Sequence, residues 1–404
     1  MKRLYFDHAA STPVDPRVLR AMRPFFSHKF GNPGSLHLFG QEAIAAVDAS
    51  RESIGKLIGA KHFREIVFTG GATEANNLAL RGAVEFYKKN HSDTRPRIII
   101  SSVEHESILE TAQALERYGA EVITLPVNKE GVIDIVALKD ALNDRTVVVS
   151  VMHVNNEVGT IQPLREIKFM IDAFRKGLPG NDDAHPAAYP LLHTDAAQSF
   201  PYLYCDAELL GVDMMTLSSH KMNGPKGVGA LYVRRDEKIF GESGAFPLAA
   251  QVSGGGQEFG VRSGTENVPG IVGFARAAQL AAAARGANAT RVAALRDELW
   301  RRIKSAAPDA EINGPAGDAK APHILNIYFP GHDAQDLLTR FDRAGLAASS
   351  GSACRSRAAE SSYVIEALGY DKARAGSSIR FSLGKDTTKG EVAAAAKIVA
   401  KALR

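Results

Sequence analysis

The chain alternates short runs rich in β-branched residues with longer stretches in which apolar positions return every three or four residues. That alternation is the pattern of strand–helix–strand units on a mainly parallel sheet. Strands are predicted at Glu65–Thr69, Arg97–Ser101, Ala120–Pro126, Thr146–Val154, Leu191–Asp195, Met214–Ser218 and Gly229–Val233. Helices are predicted between them near Thr73–Lys88, Ser107–Arg117, Val136–Leu142 and Leu164–Arg175. From about Val268 the pattern changes to a long Ala-rich helical run that reaches Ala306. A strand (Ile324–Phe329), a helix (Ala334–Ala344), a strand (Ser378–Leu383) and a last helix (Lys389–Leu403) follow. The expectation is an α/β protein with a large domain over 16–261 and a smaller α+β domain made by 1–15 and 262–404. The stretch from Gly177 to Pro190, rich in Gly, Pro, Asn and Asp, reads as a surface loop.

Composition narrows the classes. A length of 404 residues favours two domains over one, and 45% hydrophobic with 23% charged residues excludes wholesale disorder. Lys and Arg total 49 against 45 Asp and Glu, a net charge of +4 without any basic block, so nucleic acid is not implied as a partner. Asp7 ends any signal-like run, and no stretch approaches the roughly 18 apolar residues that span a bilayer. The two cysteines, Cys205 and Cys354, fit free thiols in a reducing cytoplasm. No G-x-G-x-x-G, G-x-x-x-x-G-K-[ST], C-x-x-C or H-E-x-x-H occurs, so the dinucleotide and P-loop turns are missing and nothing points to a metal.

Three segments carry candidate chemistry. Thr69-Gly70-Gly71-Ala72-Thr73-Glu74 sits where a strand hands over to a helix. Its glycines let backbone approach an anion, and the helix N-terminus offers free N–H groups. Ser218-Ser219-His220-Lys221 ends another strand, where α/β sheets bind ligands; a partly desolvated lysine there can form an imine with a carbonyl cofactor. Asp195, in Leu191-Leu192-His193-Thr194-Asp195, is a carboxylate at a third strand end that needs a cationic partner or hydrogen bonds. Pyridoxal phosphate would supply one through its pyridinium N–H.

Together with His105, Asn155-Asn156-Glu157 and Gln198, these segments resemble the fold-type-I pyridoxal-phosphate enzymes of the class V aminotransferase family. Ser349-Ser350-Gly351-Ser352-Ala353-Cys354 and Ser378-Ile379-Arg380-Phe381-Ser382-Leu383-Gly384 narrow the resemblance to the NifS/IscS-type cysteine desulfurases, from about Tyr5 to Lys401. The resemblance implies a large domain with a mainly parallel seven-stranded sheet. It implies pyridoxal 5'-phosphate held as a Schiff base by Lys221, with Asp195 on the ring nitrogen and His105 stacked on the ring. Asn156 and Gln198 would bond the phenolic oxygen or neighbouring polar atoms, and Ala72, Thr73, Ser218 and His220 would hold the phosphate. Thr265 would reach the phosphate of the partner subunit in a homodimer. Arg380, beside Asn156, would grip the carboxylate of L-cysteine.

The same resemblance makes Cys354 the catalytic nucleophile, taking sulfur as a persulfide and leaving L-alanine. The residues agree: Cys354 lies among small polar residues beside Arg355 and Arg357, cations that favour a thiolate, while Cys205 has no such surroundings and reads as structural. A sulfur-acceptor protein is implied, an iron–sulfur scaffold or a tRNA-thiolation enzyme. The alternatives are a selenocysteine lyase and another class V aminotransferase. Departures from the pattern are Ser219 where Gly is common, Phe259 for a usual Arg, Arg355 where Thr is frequent, the 177–190 segment, and an end at Arg404 without the extension of scaffold-binding members.

Overall fold

The computed structural model describes residues 3–178, 189–235, 246–351 and 361–404. Its centre is a seven-stranded sheet of β2 (Ile66–Thr69), β3 (Arg97–Ser101), β4 (Glu121–Leu125), β5 (Thr146–Ser150), β6 (Leu191–Asp195), β7 (Met214–Ser218) and β8 (Gly229–Val233). β1 (Leu4–Tyr5) lies elsewhere. The strand order is β2-β8-β7-β6-β5-β3-β4, with β8 antiparallel to both its neighbours and the other pairings parallel. Every residue of β5 through β8 is buried, because helices cover both faces and no side needs to be polar. Neighbouring residues point into opposite cores. Ile99, Val149, Leu192 and Met215 join the core that contains the helix Leu38–Leu57; Ile98, Ile100, Val148, Leu191 and Met214 join the one behind the helix Ala72–Asn90.

A second, antiparallel sheet has the order β12 (Ser378–Ser382), β10 (Ile324–Tyr328), β9 (Glu311–Asn313), and β1 pairs with β11 (Leu346–Ala347). The helix Val268–Ala306 joins the two bodies. Its first half places Val268, Ile271 and Phe274 in the large core, and its second half places Val292, Leu295 and Leu299 in the small one.

The observed elements differ from the expected ones at several places. Glu65 is not strand but the last residue of a 3-10 turn, Phe63–Glu65, where its carboxylate accepts backbone N–H bonds from Lys61, His62 and Arg235. β5 stops at Ser150 rather than Val154, and the chain continues toward the small domain through Asn155–Thr160. The 20-residue helix Leu38–Leu57 has no counterpart in the sequence reading. Its buried face carries Ser50 and Arg51 beside Ala43, Val47 and Ile54, so the apolar stripe is broken. Arg51 is satisfied at long range: Nη1 and Nη2 donate to Glu258 at 2.6 and 2.8 Å. The guanidinium also lies 4.8 Å from the ring centroids of both Phe68 and Phe259. That contact accounts for Phe259, since an arginine there would set a like charge against Arg51. Within the expected 177–190 loop, residues 179–188 lie outside the described residues.

Candidate active site

The C-terminal ends of β2, β3, β5, β6 and β7 open onto one cleft of about 930 Å³. Ala72, Thr73, His105, Asn156, Asp195, Gln198, His220, Lys221 and Arg380 all line it. Ser218 is buried at the end of β7 and its hydroxyl is 3.3 Å from His220 Nδ1. Thr265 is exposed and stands outside the cleft. Cys354 lies outside the described residues. The chain leading to it starts beside the cleft, where Ser349 and Arg380 exchange backbone hydrogen bonds of 3.1 and 2.6 Å.

Each wall follows from local structure. After β2 the chain turns through Gly71, whose φ of 153° is open to glycine, into the helix Ala72–Asn90. No side chain caps this helix, so its first N–H groups and its positive dipole end face the cleft. Gly70 N–H is held by the Glu74 carboxylate at 2.7 Å, and Arg262 Nε anchors Glu74 at 2.7 Å. Across the loop, Gly229 lets β8 approach: a Cβ there would stand 2.8 Å from the backbone carbon of Gly71.

Asp195 ends β6 and is 6% exposed. Its Oδ1 accepts from Ala197 N–H and its Oδ2 from the Asn76 side chain, both at 2.9 Å. Nearby Glu104 is buried, and that burial pushes its carboxyl up to about 8, so at neutral pH it is mostly protonated. Burial also lowers His220 to about 4, helped by the charges of Lys221 and Lys226, so its ring is neutral. Lys221, in the 3-10 turn after β7, donates from Nζ to the carbonyls of Ala9 and Ala10 at 2.6 and 3.0 Å. The Ala9 carbonyl also accepts from Gln198 Nε2 at 2.9 Å. Arg380, on β12, is 2% exposed; Nη1 donates to the Asn156 carbonyl at 2.9 Å and Nη2 to Asp7 Oδ1 at 2.7 Å. Asp7, Ala9, Ala10, Asn76, Ser107 and Lys226 join the site in the structure without a signal in the sequence that assigns them a role. Asn76 lies two residues beyond the Gly-rich segment Thr69–Glu74, and the others carry no motif.

A phosphorylated pyridine aldehyde fits these walls. The uncapped helix end suits a phosphate, the amine of Lys221 suits an aldehyde, and Asp195 suits a protonated ring nitrogen. Among the described residues Asn156 Oδ1 is buried without a partner, an acceptor on the cleft wall. Among the described residues no group of His, Cys, Asp or Glu is placed to hold a metal ion, and no helix is long and apolar enough to cross a membrane.

Such a sheet, with these groups at its carboxyl ends, defines a transferase of the pyridoxal-phosphate type, and residues 4–394 match the family model described as Aminotransferase class-V, to which the chain belongs. The chain is similar over nearly its whole length to proteins named cysteine desulfurase. One named cysteine desulfurase IscS, from Anaeromyxobacter sp. (strain Fw109-5), is 43% identical over 402 residues, 99% of this chain and 92% of the relative. A mitosomal cysteine desulfurase of Trachipleistophora hominis is 42% identical over 406 residues, covering 100% of this chain and 86% of its own length. A solved structure described as a NifS-like protein matches with a TM-score of 0.86 and 34% identity over 99% of this chain and 98% of that one.

Proposed function

We propose that the chain is a pyridoxal-phosphate-dependent cysteine desulfurase that converts L-cysteine to L-alanine and places the sulfur on Cys354 as a persulfide. The observation that carries this reading is the meeting of Lys221, Asp195, His105, the helix end at Ala72 and Arg380 in one cleft. When bound, the cofactor supplies an electron sink for charge developed at the substrate Cα. Lys221 would hold it covalently until the amine of L-cysteine takes its place, and the freed amine would then take the Cα proton, with the Ala9 and Ala10 carbonyls placed to receive the resulting ammonium. Asp195 keeps the ring nitrogen protonated, and Arg380 orients the substrate carboxylate through N–H groups beyond those given to Asp7 and Asn156. The Cys354 thiolate attacks the substrate sulfur; the S–S bond forms, the Cβ–S bond breaks, and Cβ takes a proton to become the methyl group of alanine. The test is product analysis. With L-cysteine and a thiol reductant, one alanine per sulfide is expected; turnover of L-selenocysteine alone would favour the lyase.

Two further outcomes follow from the geometry. Arg380→Lys keeps the charge but cannot reproduce a planar fork tied on two sides. About 2–3 kcal/mol of charge-assisted bonding is at stake, so kcat/KM for L-cysteine should fall about 30- to 150-fold, mainly through KM, with cofactor affinity little changed. Gly229→Ala drives a methyl group into the Gly71 backbone, so the phosphate turn must shift. Fluorescence titration should show pyridoxal phosphate binding weakened by about tenfold or more.

The same reading includes a homodimer. Phe26, Phe30, Leu36, Leu38 and Phe39 are exposed within one short length of chain, Leu36 at 91%, and a second copy is the occupant we propose for this apolar surface. Thr265, exposed away from its own cleft, is then available to a partner's phosphate. The seven-stranded and three-stranded sheets support two domains, proposed at 16–261 and at 1–15 with 262–404, with the first half of the helix Val268–Ala306 packed into the large core. A sulfur-acceptor protein, in iron–sulfur assembly or tRNA thiolation, and a cytoplasmic location complete the proposal; a reducing compartment suits the free thiol of Cys205.

A further inference from the structure

Asp195, Asn76, Ser107 and His105 form one chain of hydrogen bonds beside the cleft, and its polarity can be read link by link. A carboxylate only accepts. Asp195 Oδ2 therefore obliges the Asn76 amide, 2.9 Å away, to present its NH2. The second hydrogen of that NH2 goes to Ser107 Oγ at 2.8 Å. With its oxygen receiving, the Ser107 hydroxyl sends its own hydrogen to the remaining partner, His105 Nδ1 at 2.9 Å. The Ser107 backbone N–H meets the same nitrogen at 3.1 Å. A ring nitrogen that receives two hydrogens carries none of its own, so the imidazole proton stands on Nε2. The arrangement has a cost: Asn76 is 0% exposed and among the described residues its Oδ1 has no partner, a buried acceptor left unsatisfied while both amide hydrogens are used.

We infer that Asn76 and Ser107 are positioning residues that fix His105 as a neutral imidazole protonated on Nε2, so that His105 enters the reaction as a proton donor. The tautomer is a property of the chain alone; the donor role rests on the desulfurase reading. Electrostatics agree with the geometry. His105 is the N-cap of the helix Glu106–Arg117, whose positive end disfavours an imidazolium. Burial lowers its pKa and the Lys221 charge adds to this, against the opposing carboxylates of Asp195 and Glu106. Among the described residues Nε2 makes no hydrogen bond, so a basic nitrogen appears on that side only after its proton has been given.

The test is a long-range proton–nitrogen spectrum of the full chain with its cofactor, labelled with nitrogen-15 in histidine. The His105 signals are identified by their loss in His105→Gln. The expected wild-type spectrum has Nε2 protonated and Nδ1 bare across neutral pH. Ser107→Ala leaves the backbone N–H as the one donor to Nδ1, so a minor Nδ1-protonated population should appear beside the Nε2 form and kcat should fall about tenfold, equivalent to about 1.4 kcal/mol, with KM within about twofold. Ser107→Thr, which keeps the hydroxyl, should restore both. A wild-type proton on Nδ1, or a Ser107→Ala spectrum and kcat like those of wild type, overturns the assignment. The wild-type spectrum decides the tautomer even if Ser107→Ala does not fold. An Nε2-protonated spectrum in a protein that makes no alanine from cysteine would retain the tautomer and refute the desulfurase reading and the donor role together.

Discussion

Lys221→Ala is expected to abolish alanine formation, by at least about 10⁴-fold, because one amine serves both as covalent anchor and as base at the substrate Cα. The position explains why no neighbour substitutes. Lys221 lies at the carboxyl end of β7 with its Nζ between the carbonyls of Ala9 and Ala10; of the two imidazoles in the cleft, His220 is held in contact with Ser218, and His105 Nδ1 is taken up by Ser107. The fold should survive, since the side chain lines the cleft rather than filling a core. Borohydride reduction followed by peptide mass analysis checks it. Wild type should gain the cofactor's mass on the peptide containing Lys221, and the variant should gain none. A reducible covalent link in Lys221→Ala would place the anchor elsewhere.

Cys354→Ser should separate the two halves of the chemistry. Cofactor binding and Cα proton removal use Lys221 and Asp195, so the variant should bind pyridoxal phosphate and change its absorbance when L-cysteine is added. Alanine release should nevertheless fall by at least about a thousandfold, because a neutral hydroxyl is a far poorer nucleophile toward sulfur than a thiolate. Cys205 offers no rescue. It is 0% exposed, its thiol is pushed up to about 11 by burial, and its sulfur lies 3.3 Å from the Ser199 hydroxyl. Near-normal alanine release by Cys354→Ser would favour a lyase or an aminotransferase.

Much of the architecture was legible because a parallel sheet buried on both faces writes itself as apolar runs, and β3, β6, β7 and β8 fall where those runs lie. The cofactor segments were legible for a related reason: each sits at a strand end, where a glycine pair, an aspartate or a lysine stands out from the apolar run before it. Contacts that join distant segments were hidden. Arg51 reads as an interruption of a helix until Glu258, 207 residues away, is brought to it. Asp7 has no visible role until β12 presents Arg380. Asn76 looks like any polar residue near the start of a helix; only its bond to Asp195, 119 residues on, makes it part of the site.

The most direct test of the account is the mass of the two cysteine peptides after wild-type protein, loaded with pyridoxal phosphate, meets L-cysteine without reductant. The account predicts one additional sulfur on the peptide containing Cys354, none on the peptide containing Cys205, and an equivalent amount of L-alanine in solution. Alanine formed with no added sulfur on Cys354, or added sulfur on Cys205 instead, would contradict it.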